Sequence, residues 1–201
     1  MSTSVVALHP DPASLPRGQQ ERRDRIVGAA IALLEQGGEY DAIQMRDVAQ
    51  EAGVALATVY RYFTSKEHLY AAALLQWSTR SPEREHSKRA GTSDEERLRA
   101  LMRRAVRAFE RYPQMMRAEI VLENSSDPNA RALFDQFAAR NASALTSALS
   151  STEPEQAAVI VETINCVLAT RLRSWALGRT DISDVNRSIE RSIDLIFHFA
   201  S

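Results

Sequence analysis

Residues 45–66, MRDVAQEAGVALATVYRYFTSK, decide how the rest of the chain is read. Ala49, Gly53 and Val59 stand four and then six residues apart, a spacing that suits two short helices crossing at a tight turn. Small side chains at the crossing allow close approach, and Gly53 can take the positive φ that the turn requires. The second helix then buries Val59 and Phe63, one turn apart, and turns Thr58, Arg61 and Tyr62 outward. The pattern predicts a helix-turn-helix that offers hydroxyls and a guanidinium to a partner, and duplex DNA is the partner such groups suit.

The individual residues carry distinct expectations. Arg61, opposite Val59 and Phe63, points toward the major groove, where a guanidinium donates two bonds to guanine O6 and N7. Thr58 at the helix start suits a phosphate or a thymine methyl, and Tyr60 and Tyr62 have hydroxyls long enough to reach the backbone. Lys66 stands at the start of the next helix, where its ammonium and the helix dipole together favour phosphate. Gln44 offers an amide to a phosphate or base edge and fits equally the N-terminal cap of its helix. Arg46 suits a DNA contact or a neighbouring acid, Met45 suits the core, and Tyr62 also fits a packing role. Four arginines, Arg17, Arg22, Arg23 and Arg25, precede this region, offset in part by Glu21 and Asp24; they suit a solvated face or phosphate.

Working outward, residues 1–18 carry three prolines and Gly18 without a periodic apolar face, which predicts a flexible arm. Helix 1 follows over about 20–36, with Ile26, Ala29, Ala30, Leu33 and Leu34 inward and Gly37-Gly38 as its stop. Ser65 is the expected N-cap of a fourth helix. Residues 80–94 read as an exposed linker. Beyond it the stripe Leu98, Leu101, Met102, Ala105, Val106 and Phe109 begins a run of helices that continues to the C-terminus. One faces inward through Leu133, Phe134, Phe137, Ala138 and Leu145. The last carries Ile182, Val185, Ile189, Ile193 and Ile196 on one stripe, which suits a dimer interface or an internal core. No strand-like alternation of useful length occurs, so the architecture is all-α.

Composition narrows the function classes. With 201 residues, 44% hydrophobic, 25% charged and a net charge of −1, the chain is that of an ordinary globular protein, and any basic surface must be local. No run approaches the ~18 apolar residues of a membrane span, and the N-terminus lacks the basic region of a secretory signal, so a cytoplasmic, membrane-free protein is expected. Cys166 is the one cysteine, expected to be a buried, inert thiol. His9, His68, His86 and His198 show no metal-ligand spacing, and there is no phosphate-binding glycine loop or nucleophile elbow. The reading is therefore of a protein with no catalytic residues, no metal and no cofactor. A helical adaptor that binds protein through its helix-turn-helix is the alternative.

Taken together, Arg23 to Ile26, Ala29-Ala30 to Leu33-Leu34, Gly37-Gly38, Val48-Ala49 to Ala52-Gly53-Val54, and Thr58-Val59-Tyr60-Arg61-Tyr62-Phe63 to Ser65-Lys66 resemble the TetR family of bacterial transcriptional regulators. Two departures stand out. Ala55-Leu56 replaces the usual polar or basic pair before the recognition helix, and Thr64 replaces a usual proline; an expected cap and a phosphate contact are lost. The resemblance implies a flexible arm over 1–18, a three-helix helix-turn-helix DNA-binding domain over 19–66, and a helical effector-binding and dimerisation domain over 67–201. It implies a homodimeric repressor on a palindromic double-stranded operator, with Gln44, Arg46, Ala55, Leu56, Thr58, Tyr60, Arg61, Tyr62 and Lys66 at the DNA.

The same resemblance implies an effector pocket in the C-terminal helices. Phe109, Met115, Met116, Leu122, Phe134, Phe137 and Trp175 are its candidate walls; each also fits plain core, and together they favour an apolar effector. Glu21-Arg22-Arg23, Gln44-Met45-Arg46, the apolar pair at 55–56 and, more loosely, Trp175 and Asp184-Val185 are similar to a subgroup of steroid- and lipid-catabolism repressors. That similarity implies a steroid or an acyl-CoA thioester, with Arg140, Arg171 and Arg173 available to a carboxylate or phosphate.

Overall fold

The computed structural model describes residues 14–80 and 93–198, so most of the expected arm and linker lies outside the described residues. Within them the chain forms helices α1 (Arg17–Glu35), α2 (Met45–Glu51), α3 (Leu56–Tyr62), α4 (Lys66–Arg80), α5 (Asp94–Arg111), α6 (Pro113–Glu123), α7 (Pro128–Ala148), α8 (Pro154–Ala176) and α9 (Ile182–His198), and no strand. The all-α expectation holds. Helix α1 begins at Arg17, inside the expected arm, because Pro16 stands just outside the first turn and its carbonyl accepts from the Gln19 and Gln20 amides.

The described residues divide into two compact units, one holding 14–80 and 117–137, the other 93–116 and 138–198. The cut differs from the expected boundary at 66/67: α4 belongs with the head, and the division falls inside α6 and α7.

In the first unit α1 packs on α4 and α2, and α2 on α3. Ile26, Ala30, Ile31, Leu34, Val48, Val59, Phe63, Leu69, Tyr70 and Leu74 are sealed inside. Each fully buried aliphatic side chain contributes about 1.5–3 kcal/mol over exposure, which is what holds helices as short as α2 and α3 in place. At the end of α1, Gly38 donates to the Leu33 carbonyl at 3.0 Å. A Cβ at Gly38 would lie 2.8 Å from that same oxygen, so the stop requires glycine there.

In the second unit α9 packs on both α8 and α5. Its stripe therefore turns inward: Val185, Ile189 and Ile193 are buried, and Ile189 and Ile193 share a core with Leu98, Met102, Leu145, Leu149, Ile160 and Ile164. This corrects the dimer-interface expectation for Ile182, Val185, Ile189, Ile193 and Ile196. An apolar stripe flanked by two helices is consumed by the core, and only Ile182 and Ile196 remain half-buried. Among the described residues of this unit, the large apolar side chains left exposed are Val159 and Leu177 at α8 and Leu195 on α9. Cys166 is exposed on α8, against the expectation of a buried thiol, because Ile160, Ile164 and Leu172 take the inner face. Ala138 is likewise exposed rather than inward.

Ion pairs reinforce the α5–α9 contact. Arg99 bonds Glu95 at 2.6 Å, Asp194 at 2.9 Å and also Glu190, while Arg103 holds Glu190 at 2.8 Å. Burial opposes the charge on Arg99, but the three carboxylates outweigh it and hold its guanidinium above its ordinary range.

Candidate DNA-reading face

Helix α2 starts where the Gln44 N–H donates to Asp47 Oδ2 at 2.7 Å, which satisfies a free amide and places a carboxylate in the first turn. It ends on Gly53, at φ +63°, where the Val54 amide returns to the Ala49 carbonyl at 3.0 Å and the Gly53 amide to Gln50 at 3.1 Å. That pair of bonds is the glycine stop expected from sequence. Val48, Ala49 and Ala52 on one side and Val59 and Phe63 on the other are all buried, so small residues do bring the two helices together.

Helix α3 is seven residues long. Its outer face carries Leu56, 41% exposed, Tyr60, 52% exposed, and Arg61, with Ala55 and Ala57 exposed at its start and Thr58 half-buried. Ala57 was missing from the sequence-derived face; its position four residues before Arg61 is the signal that would have found it. Gln44 and Arg46 are exposed at the start of α2, with the Arg46 guanidinium 3.8 Å from Asp47. Met45 is buried, as expected.

Two expected contacts are corrected. Tyr62 does not point outward: it is only 4% exposed, and its hydroxyl is buried with no hydrogen-bond partner. The helix ends at Tyr62, and Phe63 turns extended at φ −138° and ψ 119°, so two consecutive aromatic side chains both enter the core. The Tyr62 ring instead supports Arg61, whose guanidinium carbon lies 5.2 Å from its centroid.

Lys66 is not a free ammonium. Its Nζ donates to the Tyr40 carbonyl, lies 3.5 Å from that of Asp41, and sits 4.2 Å above the Tyr40 ring. Burial lowers its pKa, only partly opposed by Asp41, Glu67 and Asp47. It ties the loop between α1 and α2 to the start of α4. The Tyr40 ring continues edge-on to Tyr70 at 5.1 Å, and burial pushes both phenols well above their usual range.

The junction between α3 and α4 is clamped by groups far away in sequence. Ser65 caps α4, accepting from the His68 amide at 2.9 Å, and donates from its hydroxyl to Asp127 Oδ2 at 2.5 Å. Asp127 in turn caps α7, accepting from the Asn129 and Ala130 amides at 2.7 and 3.2 Å. Thr64, where the family's usual proline is absent, accepts from Asn129 Nδ2 at 3.3 Å, and its own amide donates to His68 Nδ1 at 3.2 Å. Burial raises the Asp127 pKa, but the bonds from Ser65, Ala130 and Asn129, with His68 nearby, win and hold it below the usual carboxylate range. The Asp127-Pro128 pair at a helix start is the sequence cue to this cap.

This face has the form of a recognition helix on a rigid support, and comparison with known proteins agrees. Residues 26–73 match the bacterial regulatory proteins of the tetR family, and residues 91–196 match the tetracyclin repressor-like C-terminal domain. The HTH-type transcriptional repressor KstR of Rhodococcus jostii is 34% identical over 179 residues, covering 89% of this chain and 84% of the repressor.

The chain belongs to the TetR family.

A solved TetR transcriptional regulator from Rhodococcus sp. RHA1 superposes with a TM-score of 0.70 at 27% identity, covering 91% of this chain and 98% of that one. FadR from Bacillus subtilis, solved with stearoyl-CoA, superposes at 0.66 and 17% identity, over 87% of this chain and 97% of that one, a likeness of fold. As a TetR-family member the chain is a transcriptional regulator with a helix-turn-helix head, and its similarity to KstR agrees with the subgroup read from Gln44-Met45-Arg46 and Ala55-Leu56.

The expected effector residues of this TetR-family chain divide between the two units. Phe109, Met115, Met116 and Trp175 lie in the second; Leu122, Phe134 and Phe137 lie in the first, with the two phenylalanine rings 5.8 Å apart. All are buried except Phe134 and Trp175, which are half-buried. Glu95, Asp194 and His198 bring carboxylate and imidazole atoms within 4.8 Å of one another. The Arg99 guanidinium already bridges Glu95 and Asp194, so the cationic position there is filled by the protein itself.

Proposed function

We propose that this chain is a homodimeric repressor that binds a palindromic operator through α3 and leaves it when a small apolar effector, a steroid or an acyl-CoA thioester, binds the C-terminal helices. The observation that carries the reading is the outer face of α3, where Arg61, Tyr60 and Leu56 stand exposed on a buried platform. Repression is supported by the similarity to KstR transcriptional repressors, and an acyl-CoA effector by the fold shared with a FadR solved with stearoyl-CoA. The effector's walls are proposed within the second unit, among Phe109, Met115, Met116 and Trp175.

A dimer is supported by the outward faces of α8 and α9, where Val159 and Leu195 are each 63% exposed. Two copies place two recognition helices one DNA turn apart, about 34–36 Å, which a single helix cannot match for specificity. A tenfold release of DNA needs ~1.4 kcal/mol of coupling between effector and operator.

The test has two arms. Duplex binding measured at several salt concentrations must show a falling log K with log salt and a preference for one sequence over random DNA. Stearoyl-CoA, steroid-acyl-CoA and free steroid are then titrated into the complex. Release by one of these ligands supports the effector class, and DNA binding untouched by all of them overturns it. A monomer by light scattering at micromolar concentration overturns the dimer.

A further inference from the structure

The N-cap of α3 and its first two residues present no side-chain hydrogen-bonding group; the first hydroxyl, Thr58, is half-buried. Ala55, Leu56 and Ala57 are all exposed, and Leu56 is one of the few large apolar side chains among the described residues left substantially in water. Tyr60, four residues on, continues the same apolar strip, and Arg61 ends it with a guanidinium. The inward side of the helix is fully used by Val59 and Tyr62, so Leu56 has no place in the head's own core. Gln44 and Arg46 at the start of α2 are polar and exposed. A large apolar side chain left exposed at the start of a recognition helix asks for an apolar feature on the DNA.

The major groove has one such feature on its base edges. Adenine, guanine and cytosine present donors and acceptors there, and thymine alone adds a C5-methyl group. A leucine pressed against the other edges strips water from groups it cannot bond, which is unfavourable. Against thymine it can cover the methyl and leave the O4 acceptor to water.

We propose that Leu56 is a specificity-determining residue that reads a thymine methyl in each operator half-site. Arg61 reads a guanine about two base steps away. The spacing follows from five residues at ~1.5 Å rise, ~7.5 Å, against ~3.4 Å per base step. Ala55 and Ala57, being small, let Leu56 reach the base edge without their own side chains meeting it. This inference rests on the DNA-binding reading above and deepens it by naming the chemistry of the operator.

The test uses the full-length protein and a duplex selected by it from a random pool. Each thymine in the selected duplex is replaced in turn by deoxyuridine, which pairs identically and lacks only the methyl. Loss of a buried methyl predicts about fourfold weaker binding at the critical thymine, and about fifteenfold when both half-sites are changed. Leu56→Ala must abolish that sensitivity while keeping the wild-type melting temperature, since Leu56 lies outside the core. Arg61→Ala must keep it while losing the guanine preference. Wild-type affinity unchanged by deoxyuridine at every thymine, or full sensitivity retained in Leu56→Ala, overturns the proposal. Failure of the pool to yield any enriched sequence overturns the DNA-binding reading instead.

Discussion

On α3 the large apolar residues Leu56 and Tyr60 face water, whereas on α9 the isoleucines at 189 and 193 are closed off by α5 and α8. Both helices show apolar residues three or four apart, and from periodicity alone the two patterns read alike. The difference lies in what surrounds them. Helix α9 has a helix on two sides, so its stripe is spent on the second unit's core. Helix α3 packs on α2 through Val59 and Tyr62 and keeps its apolar surplus outside. An apolar stripe states that a helix has a face to bury; the topology decides whether that face meets its own chain or another molecule.

Five substitutions break or sharpen this contrast. The largest effect is expected at Ile193. Ile193→Ala removes a fully buried side chain and costs about 2–5 kcal/mol, a fall of about 10 °C in melting temperature, whereas Leu195→Ser leaves melting nearly unchanged and weakens self-association. Calorimetry with analytical ultracentrifugation on both variants distinguishes them; equal destabilisation would mean that Leu195 is also core. Next, Arg61→Ala is expected to lose about 1–3 kcal/mol of discrimination between operator and random DNA, with melting unchanged. Competition binding checks this, and equal loss on both DNAs would demote Arg61 to a backbone contact.

A smaller effect is expected at Asp127. Asp127→Asn removes the charge from the α7 cap that also holds the Ser65 hydroxyl and costs about 1 kcal/mol at neutral pH, discounted for the partial exposure of the site. Because the folded state holds the carboxyl below its ordinary pKa, its stabilisation is complete above the unfolded value, near pH 4, and is lost as pH falls through the folded value. The gap between wild type and variant, followed by denaturant melts across pH, must therefore close on acidification; a gap that widens would reverse the assignment. The smallest effect is expected at Lys66. Lys66→Met removes an ammonium held over the Tyr40 ring and costs about 0.5–1 kcal/mol of stability, with the salt slope of DNA binding unchanged. A slope reduced by about one would show that Lys66 neutralises a phosphate after all.

The parts of this molecule visible in its sequence are those governed by neighbours along the chain. The helix order, the stops at Gly37-Gly38 and Gly53, the Ser65 cap and the burial of Val59 all follow from residues within one or two turns of each other. The parts that were missed depend on distant partners. Lys66 is turned to the Tyr40 carbonyl, 26 residues away, and Ser65 to Asp127, 62 residues away. No local pattern announces either. Tyr62 was misplaced for a different reason: extending the helix by one residue puts Phe63 on its inner face, while ending it at Tyr62 buries both rings. The inward turn of the α9 stripe needed knowledge of which helices flank it, which periodicity does not contain.

At Gly53 a Cβ would meet nothing within 4 Å, and the residue is exposed, yet its backbone stands at φ +63°. The turn that aims α3 is thus indifferent to bulk and sensitive to handedness alone. Alanine, serine and leucine at position 53 would share one torsional penalty of ~1–2 kcal/mol regardless of size, and asparagine, which visits this region more readily, would incur less. Variation there would form a plateau across side-chain volumes, one step below glycine, with asparagine between the two.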